Sequence, residues 1–207
     1  DDVDGAIWAD EALSVGGTFL LQEVMGTTPD RTQAHALADS LRMNCMFGQA
    51  HQRRMFGNAI LSRFPLTQRH EIKLPRGSLT RDDGSRMPGQ KERRLALAAV
   101  VSPFREDASY DFLCLCTHLG IYNSHDAQGT AATVPGALIS VFVNSERFRS
   151  MPAVLGGDFN SPWSDPLKGA VARINANWNL YPSAGTKTNK NEDSKHKIDY
   201  ITDRGRG

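Results

Sequence analysis

Glu23, Arg94, His118, Asp158 with Asn160, and Asp199 each stand at the edge of an apolar run. In a layered fold, strand ends are where residues far apart in sequence meet in one cleft. Glu23 offers a hard oxygen ligand. Such a carboxylate suits Mg²⁺, which takes one or two and completes its shell with water and phosphate. Taken alone, it reads first as a surface carboxylate. Asp158 and Asn160 follow Gly156-Gly157, and glycines let the backbone approach a ligand closely. Asp158 can orient or deprotonate a water, and Asn160 carries an amide donor for a phosphate oxygen. The same residues also suit an Asx turn after a strand. His118 can donate to a developing phosphorane oxygen or act as a structural hydrogen bonder. Arg93 and Arg94 can fork onto a phosphate or remain solvated surface charge.

These residues need elements to carry them. Thr18 to Leu21 predicts a buried strand ending at Gln22-Glu23. Thr28-Pro29-Asp30 predicts a helix start, with Thr28 as N-cap and Pro29 as first helical residue. Ala34, Leu37, Ala38 and Leu41 then form one apolar face. Cys45 to Gly48, Asn58 to Ser62, His70 to Leu74, Leu95 to Val101 and Asp111 to Thr117 read as strands. Residues 75–91 are rich in Gly, Pro and charge and read as a long loop, of the kind that is often functional. Residues 124–133 are polar and small, and Pro135 predicts a helix carrying Leu138, Ile139, Phe142 and Val143. Ala153 to Gly156 predicts a buried strand, Ser164-Asp165-Pro166 a helix cap, residues 183–197 a polar loop and Ile198 to Ile201 a last strand. Strands interspersed with helices point to an α/β or α+β layered domain.

Composition narrows the classes. The chain has 207 residues, 40% hydrophobic and 23% charged, which suits one globular domain and not a disordered chain or a coiled coil. No apolar run reaches the roughly 18 residues of a membrane span, and the acidic stretch from Asp1 to Glu11 is unlike a leader peptide. Three cysteines without framework spacing point to an intracellular, reducing setting. Cys114 and Cys116, two apart in an apolar run, read as core thiols sharing one strand face, with too few ligands for zinc. Net charge is +1, but residues 51–94 hold 11 Lys/Arg against 4 Asp/Glu. That basic segment suits a phosphate-bearing substrate or is a solvated loop. The near-neutral total argues against avid non-specific DNA binding. An aromatic content of 8% without aromatic-basic interleaving argues against a generic nucleic-acid-binding module.

The order of the blocks is more specific than any one of them. Leu21-Gln22-Glu23-Val24, Gly57 to Arg63, Glu92-Arg93-Arg94, Thr117-His118-Leu119, Gly156-Gly157-Asp158-Phe159-Asn160 and Lys197-Ile198-Asp199-Tyr200-Ile201 together resemble the endonuclease/exonuclease/phosphatase superfamily, over residues 18–202. The resemblance implies a four-layer α/β sandwich, with two mixed β-sheets packed face to face and helices outside. It implies Mg²⁺ or Mn²⁺ held by Glu23, Asp158 aligning the attacking water, and Asn160 holding the phosphate. His118 looks like the family's phosphate-contacting residue after the central strand. Arg94, rather than Arg93, looks like its phosphate-facing arginine, and Asp199 like the aspartate that orients a catalytic histidine. The implied reaction is in-line attack of water on a phosphate ester, nucleic acid included, by a monomer.

The sequence also departs from the family. Members open with a strand ending in an asparagine near the metal and close with Ser-Asp-His. Neither feature occurs here, so the expectation is a single domain over residues 1–207 lacking its first and last strands. Neither His125 nor His196 sits in a matching motif. After His118 the family often has an arginine before a glutamine, where this chain has Asp126 before Gln128. The alternative is a catalytically impaired member that acts as a binding module. The substrate is not readable, although the Lys-Ile-Asp-Tyr-Ile block sits nearer the nuclease and general phosphodiesterase branches than the inositol phosphatases. The basic stretch 75–94 is the expected specificity element.

Overall fold

The computed structural model describes residues 13–15, 17–51, 55–74, 93–119, 130–159, 178–181 and 199–205. In chain order the elements are strands β1 (Leu13–Val15), β2 (Thr18–Thr28) and β3 (Arg31–Thr32), helix α1 (Gln33–Leu41), and strands β4 (Asn44–Gln49), β5 (Phe56–Ser62), β6 (Leu66–Leu74) and β7 (Arg94–Val101). A 3₁₀ turn at Ala108–Tyr110 leads to β8 (Phe112–His118), helix α2 (Thr130–Val143), and strands β9 (Ala153–Asp158), β10 (Asn179–Tyr181) and β11 (Asp199–Arg204).

The strands form two sheets. The front sheet runs β1-β2-β5-β4 with β3 paired to β2, and the back sheet runs β10-β11-β9-β8-β7-β6. Every described pair of the front sheet is antiparallel. The back sheet is mixed, through one parallel pair, β8 with β9. Alternation along the strands sends side chains to two faces. Leu95, Leu97, Ala99 and Val101 of β7 meet Leu20, Met46 and Ile60 between the sheets, together with Cys114 and Cys116. Ala96, Ala98, Val100, Leu113 and Leu115 face the other way, under Ile139 and Val143 of α2. Val24, Ala59 and Leu61 pack beneath Ala34 and Ala38 of α1. The result is the expected four-layer α/β sandwich, and the two cysteines are core thiols. Central strands β7 and β8 are buried on both faces, which is why Leu95 to Val101 and Phe112 to Cys116 are apolar runs without alternation.

Local start and stop signals shifted several boundaries. The Thr28 hydroxyl donates to Asp30 Oδ1 at 2.6 Å instead of capping a helix. β2 runs through Thr28 and pairs with β3, and α1 begins at Gln33, where Thr32 Oγ1 accepts from the His35 N–H. Leu41 ends α1 at 46% exposure and is not part of its buried face. α2 begins at Thr130, so residues 130–133 are helical and Pro135 lies within the helix rather than opening it. Leu138 of its expected apolar face is exposed. The loop through residue 91, the Ser164-Asp165-Pro166 cap, the loop 183–197, His125 and His196 lie outside the described residues.

Two devices hold the strand ends in place. The Arg204 guanidinium donates to the carbonyls of Val143, Phe148 and Met151 and to Asn144, which ties β11 to the end of α2. Gly157 has φ +144°, and a Cβ there would overlap the Thr117 carbonyl of the paired strand. Gly157→Ala is therefore expected to lose at least ~1–3 kcal/mol of stability. Urea unfolding at neutral pH reads this. An unchanged midpoint would mean the β8–β9 pair opens without cost.

Candidate active site

The back sheet brings three of the sequence-predicted residues side by side. The parallel β8–β9 pair sets His118 opposite Asp158, and the antiparallel β9–β11 pair sets Asp199 opposite Asp158 on the other side. The Leu119 N–H donates to the Asp158 carbonyl at 2.8 Å, which carries the ladder one residue further. Phe159 and Leu119 are buried in the core under α2, so the chain on either side of the site is anchored. By alternation, His118 and Asp158 point to the face that looks toward the front sheet, the face shared by Cys114 and Cys116. Asn160 lies outside the described residues, as does the side chain of Asp199.

His118 Nε2 is 3.6 Å from Asp158 Oδ2. That is too long for a hydrogen bond. Burial pushes the His118 imidazole down to about 3, and the positive charge of Arg94 adds to the effect. The ring is therefore neutral at ordinary pH, with the means to donate from one nitrogen without itself being charged. Its Nδ1 is buried and has no partner among the described residues. The Asp158 side chain is 22% exposed, enough to meet a ligand or water. Arg94 is half-buried at the start of β7, and Arg93 is exposed just before it. The Arg94 charge acts on His118, in keeping with the preference for Arg94 over Arg93.

The depressed His118 pKa has a measurable consequence. The unfolded imidazole takes up a proton near 6.5 and the folded one only near 3. Between those values the unfolded state holds more protons, so stability falls as pH drops, by up to ~1.4 kcal/mol per pH unit. Lowering pH from about 7 to about 5 is expected to cost the parent protein up to ~2 kcal/mol more than a His118→Gln variant. Urea midpoints at the two pH values measure this. Equal losses would show that His118 protonates in the folded state.

Glu23 comes from the front sheet. Residues Gln22 and Glu23 together face Asn58, because the β2–β5 register slips between Leu21 and Val24. This is a β-bulge, which re-aims side chains. Glu23 is exposed and has φ +57°, a left-handed conformation that costs a non-glycine residue on the order of 1 kcal/mol. Leu20 faces the back sheet and Val24 faces α1, so Glu23 is the inserted residue between two normal alternations. Gln22, next to Glu23, bonds to Cys116, and Asn58, opposite Glu23, bonds to the Leu95 carbonyl beside Arg94, so Glu23 lies toward the end of the sheets that carries His118 and Asp158. Its carboxylate fits a divalent ion. Among the described residues no three His, Cys, Asp or Glu side chains form a closed cage, and Mg²⁺ does not need one, since it keeps several waters.

Sequence reasoning assigned Gln22 and Asn58 no role of their own and read Cys116 only as a core thiol. All three hydrogen-bond near the end of the sheets that carries His118 and Asp158. The signal available was the odd placement of Asn58 and Gln22 within apolar strands. A separate cleft of about 390 Å³, lined by Asp30, His35, Cys45, Arg69 and Glu71 among others, opens between edge strands β4 and β6. No sequence-predicted site residue lines it.

Comparison with known proteins agrees with the fold. The family model described as the Endonuclease/Exonuclease/phosphatase family matches residues 18–201. An endonuclease/exonuclease/phosphatase from Bacteroides vulgatus superposes with a TM-score of 0.65 at 17% identity, covering 97% of this chain and 76% of that one. ANGEL2, a 2′,3′-cyclic phosphatase solved with adenosine-2′,3′-vanadate, gives 0.60 at 16% identity, covering 91% of this chain and 70% of that one. The human Nocturnin catalytic domain with bound sulfate gives 0.59 at 17%, covering 90% and 68%. No curated protein matches in sequence. With the family model spanning nearly the whole described sandwich, the chain belongs to the endonuclease/exonuclease/phosphatase family, whose members are hydrolases acting on phosphate esters.

Proposed function

We propose that the protein is a divalent-metal-dependent phosphodiesterase that works by in-line attack of water. The observation that carries this reading is the adjacency of His118, Asp158 and Asp199 on three neighbouring strands, at the end where β2 brings Glu23. Asp158 orients a water and takes its proton as the oxygen bonds to phosphorus. The bond to the leaving oxygen breaks on the opposite side, and that oxygen takes a proton from solvent water. His118, neutral through burial, donates a hydrogen bond to a non-bridging oxygen. A neutral donor keeps the adjacent Asp158 free to accept a proton rather than locking it in an ion pair. Arg94 contributes fixed positive charge where negative charge grows, and Asn160 offers its amide to the same phosphate. Asp199, beside Asp158 in register, orients a proton-carrying partner. Glu23 would hold Mg²⁺ or Mn²⁺, which when bound supplies charge neutralisation at the phosphate.

Phosphodiesters of nucleic acid are the favoured substrate class. The 2′,3′-cyclic phosphatase activity of ANGEL2 supports this, as does the basic stretch 75–94. The test is hydrolysis of bis-p-nitrophenyl phosphate, then of abasic DNA, single-stranded DNA, poly(A), sphingomyelin and an inositol phosphate. Turnover is expected with Mg²⁺ or Mn²⁺ and is expected to vanish in EDTA. Full activity in EDTA would sink the reading. Preference for sphingomyelin or an inositol phosphate over every nucleic acid would overturn the substrate class alone.

A further inference from the structure

Just below the strand-end residues the interior of the sandwich changes character. Through most of the gap the sheets meet through Leu20, Ile60, Leu97, Ala99 and Val101. At the catalytic end, polar side chains reach across instead. Gln22 Nε2, from the front sheet, donates to Cys116 Sγ of the back sheet at 3.4 Å. The Cys116 thiol donates to the Leu21 carbonyl at 3.4 Å. Asn58 Nδ2, 2% exposed, donates to the Leu95 carbonyl of β7 at 3.1 Å. Thr117 Oγ1 donates to that same carbonyl at 3.4 Å. Burial pushes the Cys116 thiol up to about 12, so it keeps the proton it donates.

The placement of these bonds is selective. Gln22 precedes Glu23, and Asn58 is the residue that faces the Gln22–Glu23 bulge. Leu95 follows Arg94, and Cys116 stands two residues before His118 on the same strand face. Apolar contacts are non-directional and allow sheets to slide, whereas hydrogen bonds fix distance and angle. We infer that Gln22, Asn58 and Cys116 form a positioning layer that sets the separation and register of the two sheets at the site. The layer holds Glu23 of the front sheet against Arg94, His118 and Asp158 of the back sheet. The inference rests on the phosphoesterase reading, because only a reaction that uses both sheets at once depends on their spacing.

The test compares the parent protein with Gln22→Met and Asn58→Leu, which approximately keep side-chain size and delete the donors. Cys116→Val and Cys116→Ser form a second pair. Turnover of bis-p-nitrophenyl phosphate is normalised to the folded fraction from urea melts, and Mn²⁺ binding is followed by electron paramagnetic resonance. The expected kcat falls about 10–100-fold in Gln22→Met, Asn58→Leu and Cys116→Val, since misplacement by ~1 Å costs about that much. KM and Mn²⁺ affinity are expected to move less than about threefold, because each half of the site survives. Cys116→Ser is expected to recover most of kcat, as its hydroxyl still donates to Leu21. Unchanged kcat per folded molecule, with only the unfolding midpoint lowered, overturns the layer and leaves a structural role. Equal kcat for Cys116→Val and Cys116→Ser does the same. A parent protein without metal-dependent turnover overturns the phosphoesterase reading and this inference together.

Discussion

Exchanging Asp158 for Asn is expected to lower turnover by about 10² to 10⁴-fold while a substrate analogue still binds. Asn matches Asp in shape but accepts no proton from water. The backbone around position 158 is held from three directions: by the pair with His118, by the pair with Asp199, and by the buried Phe159 that follows. The variant is therefore expected to fold, and the loss is expected in kcat and not in KM. Steady-state kinetics with Mg²⁺, together with binding of a phosphorothioate analogue, separate the two. Retention of more than about a third of the parent rate, far above the expected residue, would remove Asp158 from the role of base.

The second large effect is expected at Glu23. Glu23→Gln keeps the length of the side chain and its hydrogen-bonding oxygen but discards the negative charge. A Mg²⁺ site built on one or two carboxylates loses much of its attraction with one of them. Mn²⁺ affinity is expected to fall by at least about tenfold, and the Mg²⁺ concentration for half-maximal rate to rise in parallel. Saturating metal is expected to restore part of the rate. Folding stability is expected to stay within ~0.5 kcal/mol, because Glu23 is exposed and the strained φ of +57° is common to both side chains. An unchanged metal half-saturation would place the ion elsewhere.

The layered architecture was legible from sequence because apolar runs of strand length are a local signal. β5, β7, β8 and β9 carry that signal in their own composition, and the buried sheet is where such runs end up. The site residues were legible as a series because each stands at the edge of such a run. Helix starts were harder to place. Thr28-Pro29-Asp30 looks like a cap, but β2 extends through it to pair with β3, and Thr32 caps the helix instead. The two-residue β3 and three-residue β1 and β10 carry too little sequence to announce themselves, and they exist because a neighbouring strand offers hydrogen bonds.

By itself, the sequence determined the family, the apolar runs that become the central strands, and the chemical type of each candidate group beside them. Those are properties of short stretches and their order. Tertiary structure alone decided how the groups act on one another. Strand register, a non-local property, put Asp158 between His118 and Asp199. A bulge opposite Asn58 set Glu23 in a left-handed backbone conformation and left it exposed. Burial beneath the sheet gap, with Arg94 nearby, made His118 neutral, although its sequence neighbours give no hint of a shifted pKa. Desolvation and register depend on what lies across the gap, and residues far away in the chain supply that.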